Sequence, residues 1–452
     1  MVPRMDDLVK AAKFITSAMV EGEAMEAFIL SEREVAIRIY ELEIESLTTA
    51  ESSGVGIRVV RDGRTGISYA GTLDRDSIAK AIEEARDNSR FGTPDEFAGV
   101  AEPDGVEPPM MSSQWSHELL TTPMEKKIEL ARDLERLTRR FDKRIRSLNS
   151  SNYGESAFAS AIINSNGIER YSEATYCWAY AHALAGEGDE SQSGFGMSAA
   201  KNFAEIDIEF AANEAASKAT RMLGARKPNS MRTMVIFEPE VSRSFTSIVA
   251  GTLSAERVQK GRSLFANRIG EGVASTKLTL VDDPTDERFF SAVPIDDEGL
   301  ASRRNVMIEN GELKGYFYDS YTGRKAGVRS TGSGNRGGIA GSSAPGPRGC
   351  YFEPGTTSRE ALIESVDSAI LIQSISGVHS GVNPISGDFS VGAEGVVISK
   401  GELGEPIKEF TISSTIQKML GDIHEVASDL TFRLGSAAGM TLAIQDVSVS
   451  GN

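Results

Sequence analysis

The spacing of apolar side chains predicts a helix, then strands, then a second helix in the first part of the chain. Apolar side chains recur at helical spacing over residues 8–19, whereas residues 35–39 follow the period of two that is typical of a strand. This alternation slips near Tyr40, which predicts a turn or a bulge there. The Asp62-Gly63 pair suits a tight hairpin turn, and the apolar stripe of residues 78–85 predicts an amphipathic helix.

A second unit of the same kind follows. Thr122 and Glu125 have the spacing of a capping box and predict the start of another amphipathic helix. Residues 145–200 predict antiparallel strands, and the alanine-rich helix after them is expected to end at Gly224. Beyond residues 227–230, short β-type runs alternate with glycine-rich and acidic turns, which favours a different kind of domain.

These patterns predict the α+β class and two domains. The length of 452 residues agrees with two domains, because a domain typically has ~100 to 200 residues. Residues 1–226 are expected to form a mixed α/β domain with antiparallel sheets and amphipathic helices. Residues 227–452 are expected to form a mainly antiparallel β domain.

Within this second domain, residues 331–349 hold seven glycines, two prolines and three serines. That composition predicts a loop that is either mobile or ordered by a ligand. A phosphate-binding interpretation is weak because no Gly-Lys-Ser/Thr ending follows.

Composition narrows the classes of function. The chain has 48 Lys and Arg residues against 65 Asp and Glu residues, a formal net charge of −17. Such an acidic surface repels phosphate backbones and anionic lipid headgroups, so we expect no nucleic-acid or membrane partner. The longest apolar run extends only over residues 176–181, whereas a membrane-spanning helix needs ~20. No signal-peptide pattern opens the sequence, and we expect a soluble, cytoplasmic protein.

Cysteine and histidine are too sparse for a local metal site. Two cysteines, Cys177 and Cys350, cannot form a four-thiolate zinc site. The four histidines are far apart in the sequence, so no two of them share a helical face as the paired histidines of a zincin motif do. A metal site assembled from distant segments stays open.

Ten short segments of the chain occur in an order that resembles one known family. The segments are residues 54–59, 62–64, 268–271, 280–284, 296–299, 304–306, 310–316, 326–332, 381–383 and 386–392. Together they resemble the TldD/PmbA family, also called the modulator of DNA gyrase family or peptidase U62. The last two segments are similar to its PmbA/TldE branch. The resemblance covers nearly the whole chain.

The resemblance also implies where zinc chemistry would lie. The TldD branch carries a His-Glu-x-x-x-His segment with two zinc ligands and the glutamate that activates water, and a C-terminal cysteine adds a ligand. Aligned without gaps from Gly270 and Glu271, the histidine positions fall on Phe245 and Ala250, and the glutamate position falls on Thr246. No cysteine follows Cys350. We therefore expect no zinc ligand and no catalytic glutamate here, although apolar spacing still predicts a helix.

Three other groups of residues invite a functional interpretation. His424 and Asp429 imitate the zinc motif, but their spacing on a helix makes a solvated or hydrogen-bonded polar pair the better interpretation. The acidic residues Asp282, Asp283, Asp296, Asp297 and Glu298 could bind a hard cation, but turn and surface carboxylates are the commoner explanation. The aromatic residues Tyr176, Trp178 and Tyr180 alternate with Cys177 and favour a buried sheet face over a platform that stacks on peptide.

By resemblance, the predicted function is that of a PmbA/TldE-like subunit without catalytic or metal-binding residues. It would pair with a TldD-type zinc metallopeptidase that supplies the zinc, and the pair would enclose and cleave unfolded or extended peptides. The candidate peptide or partner contacts are Gly332, Asn335, Arg336, His379, Gly381, Asn383, Gly387 and Asp388.

Two alternatives remain open. One is a metallopeptidase, or another peptidase, that is active by itself through an unrecognised metal site or a nucleophile such as Ser247 or a cysteine. The other is a stand-alone homodimer that binds peptides or acts as a scaffold.

Overall fold

The fold is known from a computed structural model that describes residues 5–112, 114–188 and 190–452. Its first part is built on one antiparallel sheet with the strand order β3-β2-β1-β4-β5-β6. The strands are β1 (Ala24–Tyr40), β2 (Glu43–Arg61), β3 (Arg64–Ala70), β4 (Ile145–Asn164), β5 (Glu169–Glu187) and β6 (Glu190–Ala200). The helices are α1 (Met5–Ala18), α2 (Arg75–Ser89), α3 (His117–Thr121), α4 (Met124–Phe141) and α5 (Ile208–Arg221), with a 3-10 helix at Phe203–Glu205.

The two faces of this first sheet have different neighbours. Odd-numbered residues of β1, such as Ala27 and Ile37, pack in apolar clusters with helices α1, α2 and α4. The odd-numbered alanines of β5 pack against α4 and α5. Because successive side chains of a strand point to opposite faces, even-numbered residues such as Phe28 lie on the other face. There Phe28 packs with Ile295 and Leu300 of the second part of the chain.

The second part of the chain contains another six-stranded sheet, with the order β16-β15-β14-β7-β18-β17. Its strands are β7 (Met231–Phe237), β14 (Ser368–Ser376), β15 (Asp388–Ser399), β16 (Glu402–Thr415), β17 (Ile423–Val426) and β18 (Leu442–Ser450). Only the β7–β14 pairing is parallel. An additional β16–β18 pairing closes five of the strands into a circuit.

Shorter elements surround this second sheet. A four-stranded sheet has the order β10-β9-β8-β13, and β11 pairs with β12. These strands are β8 (Leu280–Asp282), β9 (Asn305–Glu309), β10 (Glu312–Leu313), β11 (Gly334–Asn335), β12 (Ala344–Pro345) and β13 (Cys350–Phe352). The helices are α6 (Pro239–Thr252), α7 (Ala255–Gln259), α8 (Ser320–Ala326), α9 (Arg359–Glu364), α10 (Val378–Gly381) and α11 (Ile416–Gly421).

The predicted α+β class with antiparallel sheets is confirmed. The slip near Tyr40 corresponds both to a register shift between Arg38 and Ile39 and to a turn at Glu41 and Leu42, which have positive φ.

The capping box predicted at Thr122 is wrong. The Thr122 hydroxyl donates instead to the Glu118 carbonyl of α3, because a short helix ends where the sequence suggested only a start. Within the described residues, no helix has the length and apolar character needed to cross a membrane.

Candidate functional site

Helix α6 carries the three positions that correspond to the zinc motif, and it is the helix that the apolar spacing predicts. It begins directly after β7, where Pro239 occupies the first turn, a position that tolerates the missing amide hydrogen. Phe245, Thr246 and Ala250 all lie on its buried face. The Phe245 ring stands edge-on to the ring of Phe389, with centroids 6.1 Å apart. Phenylalanine at this position therefore belongs to the apolar core of the second part of the chain.

The donor groups of these positions do not suit a zinc ion. Phenylalanine and alanine have no ligand atom, and the Thr246 hydroxyl donates a 2.9 Å hydrogen bond to the Ser242 carbonyl of the preceding turn. The Ser242 hydroxyl in turn accepts from the Met440 amide at 2.9 Å. Across residues 5–112, 114–188 and 190–452, no three His, Cys, Asp or Glu side chains are placed to hold one metal ion together.

The second imitation of the motif, at His424 and Asp429, does not lie on a helix. His424 is on strand β17, where its Nδ1 atom lies 3.1 Å from the side-chain Nε2 atom of Gln445. The Asp429 carboxylate accepts hydrogen bonds from the amide and the hydroxyl of Thr441, at 2.9 and 2.7 Å. The two side chains therefore have separate hydrogen-bond partners.

The candidate nucleophiles differ in exposure. Both cysteines are free and buried. Burial raises the pKa of the Cys177 thiol to about 12 and also raises the pKa of Cys350. Because the thiolate is the nucleophilic form, neither cysteine is activated. Ser247 is on the exposed side of α6. Within the described part of the chain, its hydroxyl donates no hydrogen bond to a base.

A polar cleft of about 660 Å³ lies beside the start of α6. Its cations pair with its own carboxylates. Arg221 and Arg359 both contact Glu238, at 2.9 and 2.8 Å, and Arg433 and Lys218 share Glu214 in the same way. With the other charged residues of the lining, five cations face five carboxylates, so the formal charge of the cleft is zero.

A second cavity, of about 410 Å³, lies between the first sheet and the second part of the chain. We call it the aromatic cavity. One wall is the even-numbered face of β1, β4 and β5, and the other is formed by residues 290–297 with Arg348, Leu434 and Gly435. Its aromatic lining residues are Phe28, Phe158, Tyr176, Trp178 and Phe290.

The sequence interpretation of a buried sheet face applies to only one side of β5. Cys177 and its odd-numbered neighbours are buried under the helices, but Tyr176, Trp178 and Tyr180 are only half-buried. The rings of Tyr176 and Trp178 are stacked, with centroids 5.6 Å apart. Trp178 lies opposite Gly154 on β4, where a Cβ atom would come within 2.3 Å of the indole ring. Glycine thus permits the indole to lie flat against the sheet.

One end of the aromatic cavity is polar. Asp296 accepts hydrogen bonds from the amides of Glu298, Leu300 and Gly334, at 2.9 to 3.0 Å. Asp297 uses its Oδ2 atom to accept from the Arg336 amide at 2.8 Å and to pair with the Arg348 guanidinium at 2.5 Å.

Behind that end lies a buried group of charged side chains, which we call the carboxylate cluster: Glu26, Asp296, Glu298 and Asp319, with Arg58 and Arg336. Burial raises the pKa of Glu298, and the nearby charges of Asp296 and Asp319 raise it further. Burial also raises the pKa values of Asp296 and Asp319. For Glu26, burial is outweighed by the charges of Arg58 and Arg336, which hold its pKa below its usual range.

This arrangement corrects the interpretation of the acidic residues as turn and surface carboxylates. Asp282 and Asp296 are 0% exposed and Glu298 is 1% exposed, whereas Asp283 and Asp297 are partly exposed. The Asp282 Oδ1 atom accepts from the amides of Arg348 and Gly349, at 2.9 and 2.8 Å. Burial raises the pKa of Asp282 to about 6. No local pattern indicates this burial, because acidic residues within a few positions of a proline or a glycine are typical of exposed turns.

The glycine-rich segment 331–349 packs against the same region. Gly332 has a φ of 67°, and a Cβ atom there would lie 2.4 Å from the Ala301 carbonyl oxygen, so glycine is required. Asn335 pairs with Ala344 in the β11–β12 hairpin. Arg336 forms an ion pair with Glu26 of the first sheet. The segment, which the sequence predicts to be either mobile or ordered by a ligand, is thus joined to the first sheet by Arg336 and to Asp297 by Arg348.

The other predicted contact residues form a separate group at α10 and the start of β15. His379, Asn383 and Asp388 are exposed. The Asn383 Oδ1 atom accepts from the Ile385 amide at 2.9 Å, and the Asp388 carboxylate accepts from the Ser386 hydroxyl at 2.6 Å. Gly381 and Gly387 have close neighbours, and a Cβ atom on either would come within 2.0 Å of another residue. No ion pair or hydrogen bond among the described residues links this group to Gly332, Asn335 and Arg336.

Sequence reasoning missed Phe28, Phe158, Phe290 and Arg348. The two phenylalanines of the first sheet carried a usable signal, because strand alternation assigns Phe28 and Phe158 to even-numbered positions, the face opposite the helices. Nothing local distinguishes Arg348 within its glycine-rich surroundings. Its partner Asp297 is 51 positions earlier, beyond the reach of any periodicity.

The chain matches three family models along most of its length. They are described as PmbA/TldA metallopeptidase domain 1, over residues 25–89, central domain, over residues 117–223, and C-terminal domain, over residues 230–451. Among relatives, a protein named metalloprotease PmbA homolog from Haemophilus influenzae is 25% identical over 415 residues. That alignment covers 91% of this chain and 88% of the relative.

Solved structures support the fold. A proposed modulator of a DNA gyrase from Thermotoga maritima superposes with a TM-score of 0.89 at 24% identity, covering 99% of this chain and 100% of that one. TldE from Thermococcus kodakarensis superposes with a TM-score of 0.87 at 24% identity, covering 98% and 100% of the two chains. The three family models, with the succession of segments noted in the sequence, lead to one assignment: this chain belongs to the PmbA/TldD metallopeptidase family.

Proposed function

We propose that this chain is a non-catalytic, PmbA/TldE-type subunit, which pairs with a TldD-type zinc metallopeptidase and helps to enclose extended or unfolded peptides for cleavage. One observation carries the proposal. The three positions that correspond to the zinc-binding segment are Phe245, Thr246 and Ala250, and all are packed in a core. Water activation needs a metal or a base at the reacting oxygen, and the buried face of α6 offers neither.

In the proposed pair, the partner subunit supplies zinc and the activated water. This chain contributes walls and peptide contacts. Its candidate contacts lie in two places, around Gly332 and Arg336 beside the aromatic cavity and around His379 and Asp388, which are exposed on α10 and at the start of β15. The cytoplasmic location and the absence of a nucleic-acid partner stay predictions from the sequence.

The alternative of independent peptidase activity has weaker support. Buried thiols with raised pKa values are poor nucleophiles, and Ser247 has no hydrogen-bonded base in the described structure. A homodimeric scaffold is compatible with the same fold, and the experiment below separates it from the proposed pair.

The test is a comparison of three samples: this chain, a TldD-type subunit from the same host, and the two mixed. Each sample is assayed for zinc by elemental analysis, for size by light scattering, and for cleavage of an unfolded polypeptide. We expect this chain alone to hold far less than one zinc per chain and to cleave nothing. The mixture should form a heteromeric complex that cleaves faster than the TldD-type subunit alone.

A control separates catalysis from assembly. Replacing the catalytic glutamate of the TldD-type subunit by glutamine should abolish cleavage by the mixture and leave the complex intact. About one zinc per chain, together with turnover by this chain alone, would overturn the proposal. A stable homodimer that does not exchange with the TldD-type subunit would favour the scaffold instead.

A further inference from the structure

The aromatic cavity has the construction of a ligand site. Its volume of about 410 Å³ is within the roughly 300 to 1,000 Å³ that is typical of ligand pockets, which are mostly apolar with a few placed polar groups. Its aromatic rings come from three strands of one rigid sheet and from the facing segment at Phe290. Such rings offer large apolar contact areas and flat faces for stacking.

The aromatic rings are held in place before any ligand binds. Trp178 lies flat over Gly154 and is stacked on Tyr176. Phe28 is 7% exposed, and the guanidinium of Arg336 lies 5.6 Å from its ring centroid. A ligand therefore meets walls that lose little side-chain entropy on binding.

The polar end offers one hydrogen-bond donor and one acceptor. The Arg348 Nη2 atom donates to the Gly334 carbonyl at 3.0 Å, and its Nε atom is enclosed by protein atoms. No hydrogen bond from its Nη1 atom occurs in the described structure. Asp297 uses Oδ2 for its contacts with Arg336 and Arg348, and no hydrogen bond to its Oδ1 atom occurs in the described structure. A ligand acceptor that reaches the Nη1 atom of Arg348 would gain a charge-assisted hydrogen bond.

These features identify the chemical class of the ligand. A neutral amide carries a carbonyl acceptor and an N–H donor, which match Arg348 and Asp297 together. A free carboxylate would meet the charges of Asp296 and Asp297, and a cationic side chain would meet Arg348 and the apolar walls. We propose that the aromatic cavity binds an extended peptide segment through a large apolar side chain, with a neighbouring backbone amide at Arg348 and Asp297.

This inference deepens the proposed function, on which it rests for the role of the peptide, but binding by the isolated chain tests it separately. The chain contains two tryptophans, and one of them, Trp178, lines the cavity. The probe is the blocked peptide acetyl-Ala-Ala-Phe-Ala-amide, titrated into the full chain while tryptophan emission is recorded. We expect a saturable change that persists in Trp115→Phe and disappears in Trp178→Phe.

Two substituted peptides test the chemistry. Replacing Phe by Lys, or placing a free carboxylate directly after the Phe residue, should each weaken binding at least tenfold. Equal binding of the Lys peptide would overturn the inference, because an apolar cavity cannot accept a charged side chain without a large loss of affinity.

A cavity-filling variant tests the location. Ser172 lines the cavity and is half-buried, so Ser172→Phe should occupy the space and weaken binding at least tenfold. Phe195→Ala is the matched control, because Phe195 is an exposed aromatic residue on the same sheet face outside the cavity. It should bind the peptide as the wild-type chain does.

The outcomes are distinguishable from those of the peptidase experiment. Unchanged affinity in a folded Ser172→Phe variant, or no emission change at millimolar peptide, overturns the cavity assignment and leaves the subunit proposal to be decided by zinc content and cleavage. Circular dichroism verifies that each variant is folded. If Ser172→Phe unfolds, Ser172→Leu provides a smaller filling group with the same expected direction.

Discussion

Helix α6 and the aromatic cavity differ in packing: the buried face of the helix is filled by side chains, whereas the cavity leaves space for a ligand. The helix positions that correspond to catalytic residues are filled by Phe245, Thr246 and Ala250, which have satisfied contacts and no free donor or acceptor. The cavity has open space, half-buried rings and the guanidinium of Arg348 in its lining. Two neighbouring regions of one chain thus have opposite properties.

Under the proposed function, this difference means that a segment keeps its fold although it lacks the residues for the reaction. Apolar side chains at the positions of zinc ligands stabilise α6 through packing, and an aromatic pair adds ~0.5 to 1.5 kcal/mol beyond its buried area. Ionisable groups are retained instead in the carboxylate cluster, where ion pairs such as Arg336 with Glu26 connect the two parts of the chain.

The largest effect is expected when the zinc motif is rebuilt on α6. The triple variant Phe245→His, Thr246→Glu, Ala250→His removes an aromatic core residue, a change that costs ~3 to 5 kcal/mol, and also buries an unpaired carboxylate. We expect a loss of more than ~5 kcal/mol in the free energy of unfolding, measured by denaturant titration. Ser247→Glu, on the exposed side of the same helix, should change it by less than ~0.5 kcal/mol. A triple variant of wild-type stability that holds zinc would erase the contrast between the two regions.

The next effect concerns the carboxylate cluster. Glu26 is 1% exposed and contacts both Arg58 and Arg336. Removing one partner of a buried ion pair leaves an uncompensated charge, which costs ~3 to 5 kcal/mol. We expect that loss for Glu26→Ala, measured by thermal and chemical unfolding. The control is Glu256→Ala, which breaks the exposed pair with Lys260 and should cost less than ~1 kcal/mol. Equal losses in the two variants would show that the cluster contributes no more than a surface pair.

Asp282 predicts a dependence of stability on pH. Its folded pKa of about 6 lies above the ordinary value of 3.8, so the folded state holds this proton more tightly than the unfolded state. The stability from this group is therefore fully present below about pH 4 and is lost as the pH rises through 6. With ~1.4 kcal/mol per unit, the loss is roughly 3 kcal/mol at most.

The measurement compares Asp282→Asn with the wild-type chain. Asparagine keeps an oxygen for the amides of Arg348 and Gly349 and cannot ionise. We expect the stability of the variant relative to wild type to rise between pH 4 and pH 7. A difference that stays constant over this range would contradict the raised pKa. The pairwise comparison matters because Glu298 and Asp296 shift in the same direction as Asp282 and Glu26 shifts in the opposite one.

The smallest effect sharpens the description of the cavity wall. Gly154→Ala places a methyl group within 2.3 Å of the Trp178 indole, so the ring must move. We expect a loss of ~1 to 3 kcal/mol from overpacking, together with a shift in tryptophan emission. Gly71→Ala, where a Cβ atom meets no neighbour, should change stability by less than ~0.5 kcal/mol. Unchanged emission in Gly154→Ala would mean that the indole does not depend on this glycine.

Local periodicity was sufficient for much of the fold. The spacing of Phe245 and Val249 predicted α6, and the slip at Tyr40 predicted the turn between β1 and β2. Both features depend on neighbours a few positions apart. The alternation of Tyr176 and Trp178 also assigned their common face, but it could not show that this face borders a cavity.

The candidate site could not be predicted in the same way, because it is formed by contacts between residues that are far apart in the sequence. Glu26 and Arg336 are 310 positions apart, and Asp282 is buried by a segment that follows it by more than sixty positions. A carboxylate near a glycine or a proline has the same local sequence pattern whether it is exposed to solvent or buried under another segment. Only the resemblance to a family directed attention to α6, and that same resemblance did not indicate the aromatic cavity.

The order of strands in the second sheet has a consequence for biosynthesis. β7 lies between β14 and β18, and Arg232 on β7 is paired with Asp446 on β18, 214 positions later. While the ribosome translates the intervening residues, both edges of β7 lack their partners. Unpaired strand edges are where nascent chains associate wrongly. This half of the protein should therefore depend on chaperones during its synthesis more than the first half does.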